Sequence, residues 1–133
     1  MNTVLGFDFG THKTGIAVGN DLTNTATPIT TLGRVNKQPD WNSISQLIKE
    51  WQPQALVVGL PHKLDGTESE MANKTRRFAR QLEGRYNLPV HMADEKLTSR
   101  EAWSRLGGIA SKDVTQIDAM AAKLIIETWF SSQ

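Results

Sequence analysis

An aspartate interrupts an apolar run near the start of the chain, in VLGFDFGTHKTGIAVG, residues 4–19. An ionised carboxylate in such a run is unfavourable unless a cation meets it. Asp94 and Glu95 follow a short apolar segment in ADEKLTSRE, and Asp118 lies in VTQIDAMAA, in the first turn of an expected helix. Ligands of open α/β sheets collect at the carboxyl ends of the parallel strands. Asp8, Glu95 and Asp118 are expected to converge there. Converging carboxylates repel and stay ionised only around a compensating cation. Oxygen donors without His or Cys suit Mg²⁺ or Mn²⁺ rather than zinc. Two such ions about 3.5–4 Å apart cleave phosphodiesters by in-line attack of water.

Each acid also has an ordinary alternative. Asp8 could bond turn amides at a strand end, and Glu95 could be a solvated loop acid. Thr115–Asp118 has the spacing of a capping box, in which Asp118 reaches back to a cap amide. Asp94 is the nearest candidate for a fourth carboxylate. Thr98–Glu101 has capping-box spacing too, and there the capping role is preferred.

The elements that must position these groups follow from periodicity. Residues 3–9 and 14–20 read as strands joined by a turn at 10–13, and 25–35 as a third strand, placed at an edge by Pro28. Trp41, Ile44, Leu47, Ile48 and Trp51 mark one face of a helix, with Asp40 as N-cap and Pro53 just beyond its end. ALVVGL, 55–60, reads as a central strand covered on both faces. Met71, Phe78, Ala79 and Leu82 mark a helix over 68–84, closed by Gly84. LPVHMA, 88–93, is a fifth strand, 98–106 a short helix broken by Gly107-Gly108, and 115–130 the last helix. The order β-β-β-α-β-α-β-α-α predicts an α/β fold with a mixed five-stranded sheet and helices on both faces.

The chain has 133 residues, fitting one domain over 1–133. Fifteen basic and fourteen acidic residues give a net charge of +1, so any basic surface must come from local clustering. No cysteine is present, which excludes disulfides and thiol catalysis. The apolar patch at the start is broken by Asp8 and lacks a basic lead, unlike a signal peptide. Nowhere do 18 apolar residues run together, so no membrane span is expected and the protein is expected in the cytoplasm. Lys13, Lys63, Lys96 and Arg100 lie near the acidic positions. Arg76 and Arg80 share one helix face and could track a phosphate backbone; a solvated face is the plainer reading of the Lys74, Arg76, Arg77 and Arg80 cluster. GLPHKLDG, 59–66, is expected to face substrate as a loop. No histidine is read as a ligand, and the four tryptophans are expected in the core.

Four segments in order, FDFGTHKTGIAVG, VVGLPHKLDGTES, ADEKLTSREA and VTQIDAMAAKLIIE, resemble the YqgF family over essentially the whole chain. That resemblance implies a ribonuclease H-like fold and a metal-dependent nuclease similar to Holliday-junction resolvases. It also implies a role in 5′-end maturation of precursor 16S rRNA, with ribosomal particles as partners. The alternatives it leaves are branched-DNA resolution or non-catalytic RNA binding in assembly, by a monomer or a homodimer. It carries Asp8, Glu95 and Asp118 over as the catalytic carboxylates. The family places Arg after its Asp-Glu pair, where this chain has Lys96, a cation without a bidentate fork. A nucleotide-binding hairpin like that of the actin and sugar-kinase superfamily is a weaker resemblance of the first segment.

Overall fold

The computed structural model describes residues 2–61, 70–94 and 114–133, with backbone alone for 114–117. Its strands are β1 (Thr3–Phe9), β2 (Lys13–Asn20), β3 (Thr25–Gly33), β4 (Ala55–Leu60) and β5 (Val90–Asp94). Its helices are α1 (Trp41–Trp51), α2 (Glu70–Tyr86) and α3 (Val114–Ser131). The sheet order is β3-β2-β1-β4-β5. β1 pairs antiparallel with β2, and β2 with β3, while β1–β4 and β4–β5 are parallel. Pro28 does fall on an edge strand, where its missing N–H matters least. The expected helix at 98–106 lies outside the described residues.

Strand alternation sorts the core into two layers. Leu5, Phe7 and Phe9 of β1 join Ile16, Leu56 and Val58 under α1 and α2, against Ile44, Phe78, Ala79 and Leu82. The intervening residues face α3: Val4, Ala17, Ala55 and Val57 pack with Ala122, Ile125 and Ile126. All six residues of β4 are buried, as its unbroken apolar run requires. Each large aliphatic or aromatic side chain removed from water here contributes about 1.5–3 kcal/mol.

Asp40 caps α1 as expected: its carboxylate accepts from the Ser43 N–H at 3.2 Å and from the Ser43 hydroxyl at 2.8 Å. Trp51 departs from the expected core placement and is 39% exposed. It is the last residue of α1, and Gln52 turns the chain away in the left-handed region. Trp41 and Trp129 do pack against the two cores, and Trp103 lies outside the described residues.

The end of α2 corrects another expectation. Gly84 does not close the helix; α2 runs on to Tyr86, and Asn87 takes the left-handed conformation that ends it (φ 54°). The Asn87 N–H donates to the Glu83 carbonyl at 2.9 Å. Asn tolerates that geometry, so a helix can end without glycine. Gly84 is left as an exposed helical residue with nothing within 4 Å of where its Cβ would stand. Replacing it with alanine removes unfolded-state entropy without a clash. Gly84→Ala should therefore stabilise the chain by about 0.5–1 kcal/mol in urea unfolding.

Candidate active site

Asp8 is the next-to-last residue of β1, half-buried, and shares the α3-facing phase with Val4 and Gly6. Its partner across the antiparallel ladder is Gly15 of β2. A Cβ on Gly15 would stand 2.0 Å from the carbonyl oxygen of Asp118 and 2.4 Å from its carbonyl carbon. The Asp118 turn of α3 thus lies directly on the Cβ-less position beside Asp8. Further along, Gly6 meets Ala122 and Ile126, and Gly19 meets Ile126 and Phe130. So α3 runs antiparallel to β1, its early turns at the carboxyl end of that strand. Two predicted acidic residues from opposite ends of the chain are thus brought to the edge where a parallel sheet presents ligands.

Lys13 opens β2 in the same phase as Gly15, on the face of Asp8 and Asp118. Burial raises the Asp118 pKa above the usual 3.8, and the nearby Lys13 charge opposes that rise. The fold therefore favours the protonated carboxyl. Its contribution to stability is full below 3.8 and is lost as pH climbs through the raised value. At neutral pH the ionised Asp118 opposes folding unless a cation compensates it. Asp118→Asn should then raise the melting midpoint of the EDTA-treated protein at pH 7 and narrow its margin over the wild type toward pH 3. The same variant should abolish any stabilisation by added Mn²⁺. Thermal scans across that pH range, with and without Mn²⁺, check all three outcomes.

The capping-box alternative for Asp118 does not hold. α3 is already helical at Val114, one residue before the Thr115 that would have to stand outside it. Asp94, the fourth-carboxylate candidate, ends β5 in phase with Val90 and Met92, which pack toward the α2 side. It is exposed, two strands from β1, on the opposite phase from Asp8. Glu95, Lys63, Lys96 and Arg100 lie outside the described residues, as does most of the 59–66 segment. Among the described residues no three His, Cys, Asp or Glu side chains converge as a metal-binding group.

The donor chemistry of the described pair suits a hard divalent ion. Both side chains offer oxygen donors, one is held in burial that disfavours its charge, and Lys13 is a nearby cation. The family model described as "RuvX: Holliday junction resolvase" matches residues 2–132. The chain belongs to this family. That agrees with the resemblance carried by the four segments. A "Putative pre-16S rRNA nuclease" of Shewanella oneidensis is 45% identical, covering 98% of this chain and 94% of that protein. One of Alcanivorax borkumensis is 47% identical, covering 96% and 95%. In fold, the chain is similar to Thermus thermophilus RuvC in complex with a Holliday junction substrate, with a TM-score of 0.59 at 13% identity over 99% and 95% of the two chains. The fowlpox virus resolvase in complex with junction DNA gives 0.60 at 12% identity over 98% and 97%. The ribonuclease H-like fold implied by the sequence is therefore the one observed.

Two groups of residues in this RuvX-family chain escaped the sequence reading. The first is the glycine stripe Gly6, Gly15 and Gly19, which lets α3 close onto the sheet. Its signal was present: glycines at every second or fourth strand position on the phase of a lone aspartate. The second is Arg34 and Lys37, which on the other side of the β1–β2 turn join Lys74 and Arg77 of the predicted basic cluster to line a cleft of about 460 Å³ with Phe9, His12 and Met71. Arg34 and Lys37 stand in separate loop positions, and no periodicity joins them to α2. The expected pair Arg76 and Arg80 lines a different groove with Glu83, Val90 and Met92, along β5.

Among the described residues, no helix is long and apolar enough to cross a membrane.

Proposed function

We propose that this chain is a divalent-metal-dependent nuclease that hydrolyses phosphodiester bonds of precursor 16S rRNA. The observation that carries the reading is the seating of Asp118 on Gly15, the cross-strand partner of Asp8. Asp8 projects from a paired central strand and Asp118 from a helix locked to it, so neither carboxylate depends on a loop for its position. Asp8, Asp118 and Glu95 would hold Mg²⁺ or Mn²⁺. Glu95 follows directly on Asp94 at the end of β5, which lies two strand spacings, about 10 Å, from β1. The bound ion supplies Lewis acidity toward the phosphoryl oxygens and the attacking water. Lys13 stands on the same face and offers a point charge to a non-bridging phosphate oxygen. Lys63, Lys96 and Arg100 are the further candidates for holding the backbone, and Arg76 and Arg80 a more distant pair. The names of the relatives at 45–47% identity support the RNA substrate.

The family description and the fold shared with two junction resolvases favour a second reading, cleavage of branched DNA. One experiment separates them. Purified protein with Mn²⁺ or Mg²⁺ is given a labelled RNA spanning the 5′ end of precursor 16S rRNA and, separately, a four-way DNA junction. Cutting of the RNA alone supports the first reading, and symmetric cutting of the junction the second. Failure on both substrates in both metals removes the enzymatic reading and leaves the assembly-factor alternative.

A further inference from the structure

Asp8 and Phe9 are consecutive in β1, so they face opposite sides of the sheet. Asp8 faces α3, while Phe9 forms part of the cleft bounded by α2 and the segment after β3. The β1–β2 turn, closed by the Gly10 N–H donating to the Lys13 carbonyl at 2.8 Å, separates the two sites. Thr11 and His12 of that turn line the cleft. The carboxylate pair and the cleft are thus two sides of one hairpin end.

The cleft concentrates positive charge in a chain whose net charge is only +1. Arg34, Lys37, Lys74 and Arg77 line it, and no acidic side chain does so among the described residues. Lys74, Arg77 and Gln81 fall at i, i+3 and i+7 and so share a face of α2. Arg34 is the fixed member. Its guanidinium lies 4.3 Å over the Phe9 ring and donates to the Gly10 carbonyl, tying β3 to the hairpin end. Phe9 in turn stacks on Phe78 of α2 at 4.5 Å.

Lys37 is held there against a local preference. Val35 and Gln38 exchange both backbone hydrogen bonds, at 2.8 and 3.0 Å, around Asn36 and Lys37. Both central residues are left-handed, with φ of 52° and 65°. The second position of such a tight turn favours glycine, and a long side chain there is strained. A turn that needed only to reverse the chain would do better with glycine at this position. The strain places an ammonium at the cleft instead.

We propose that this cleft is a second phosphate-binding surface, which holds a polynucleotide backbone flanking the segment at Asp8 and Asp118. Its ligand chemistry is phosphodiester, bound by charge and without base reading. The strand would pass over the Thr11–His12 turn from one site to the other. The proposal rests on the nuclease reading for its choice of ligand, but its test needs no cleavage.

The test is a fluorescence-anisotropy titration in excess EDTA, with end-labelled single-stranded RNA and DNA of about 20 nucleotides. Lys37→Gly should weaken binding by about fivefold while melting at or above the wild-type temperature, because it removes a charge and relieves the turn. Adding Lys74→Gln and Arg77→Gln should weaken it by about 30-fold in total and flatten the log–log salt slope by about 2. Lys49→Gln, an equal charge change on exposed α1, should leave affinity near the wild-type value. Wild-type affinity and slope in the triple variant overturn the proposal, as does equal weakening by Lys49→Gln. Absence of salt-dependent wild-type binding overturns it too. Displacement of the strand by inorganic phosphate or AMP at equal phosphate concentration would reassign the cleft to small phosphates and overturn the polynucleotide reading. A protein that binds through this cleft yet cuts nothing in Mn²⁺ would sink the nuclease reading and leave this one standing.

Discussion

Asp8→Asn should reduce Mn²⁺- or Mg²⁺-dependent cleavage by about a thousandfold or more while leaving the fold intact. The substitution keeps the shape of the side chain and removes its charge and half of its oxygen donors. With saturating Mn²⁺ the variant should melt below the wild type. A ligand that binds only the folded state stabilises by about 2.7 kcal/mol at one hundred times its dissociation constant, and the variant should lose most of that gain. Cleavage within about tenfold of wild type would exclude Asp8 as an essential ligand, whatever its position. The paired readout separates loss of metal from loss of fold, which activity alone cannot do.

The same strand explains why so much of the architecture was legible in the sequence. β1 and β4 were readable to the residue because buried strands must be apolar, and the interruptions at Gly6, Asp8 and Gly59 were too few to hide the run. α1 announced itself by period and by an Asp40 cap that bonds as expected. The site was half legible. A carboxylate in an apolar strand has few uses, so Asp8 stood out. Asp118 did not, because its spacing from Thr115 fits a capping box equally well, and only the observed start of α3 at Val114 removes that reading. The end of α2 was misread because glycine is the commonest helix terminator and Asn87, which ends the helix instead, is an ordinary polar residue by type. The cationic cleft was only half visible, for a different reason. Lys74 and Arg77 stood in the basic cluster of α2, but Arg34 and Lys37 come from the chain beyond β3. Tertiary packing alone brings the two pairs together.

Gly15 is where fold and site depend on the same atom, and Gly15→Ala should show it. The added methyl would stand 2.0 Å from the Asp118 carbonyl oxygen, 2.4 Å from its carbon and 3.0 Å from the Ala119 nitrogen. All three are backbone atoms of a helix, so no rotamer change can clear them. Either α3 lifts by more than an ångström at this end, or β2 bows away from it. The layer beneath α3 is built of small residues, Ala17, Ala26, Ala55 and Ala93 with Val4 and Val57, and cannot expand to fill the gap. Overpacking of this kind costs about 3 kcal/mol, a fall of about 9–15 °C in Tm for a chain of this size. Gly6→Ala is the control. Its methyl would stand 2.4 and 2.7 Å from the Cγ1 and Cδ1 of Ile126, a buried β-branched side chain stiff at χ1, and 3.1 Å from the Ala122 carbonyl oxygen. Its loss of stability should be of similar size. The two variants should part in catalysis. Below the melting range and at saturating Mn²⁺, Gly15→Ala moves Asp118 relative to Asp8, and displacement by about an ångström at a reacting centre lowers turnover by about a hundredfold. Gly6→Ala acts at Ala122 and Ile126, a turn or more along α3 from Asp118, and should keep turnover within a fewfold of wild type. Urea melts and single-turnover cleavage of the same preparations measure both quantities. Equal turnover for the two alanine variants would mean that the seating of α3 on Gly15 does not hold the acidic residues in place.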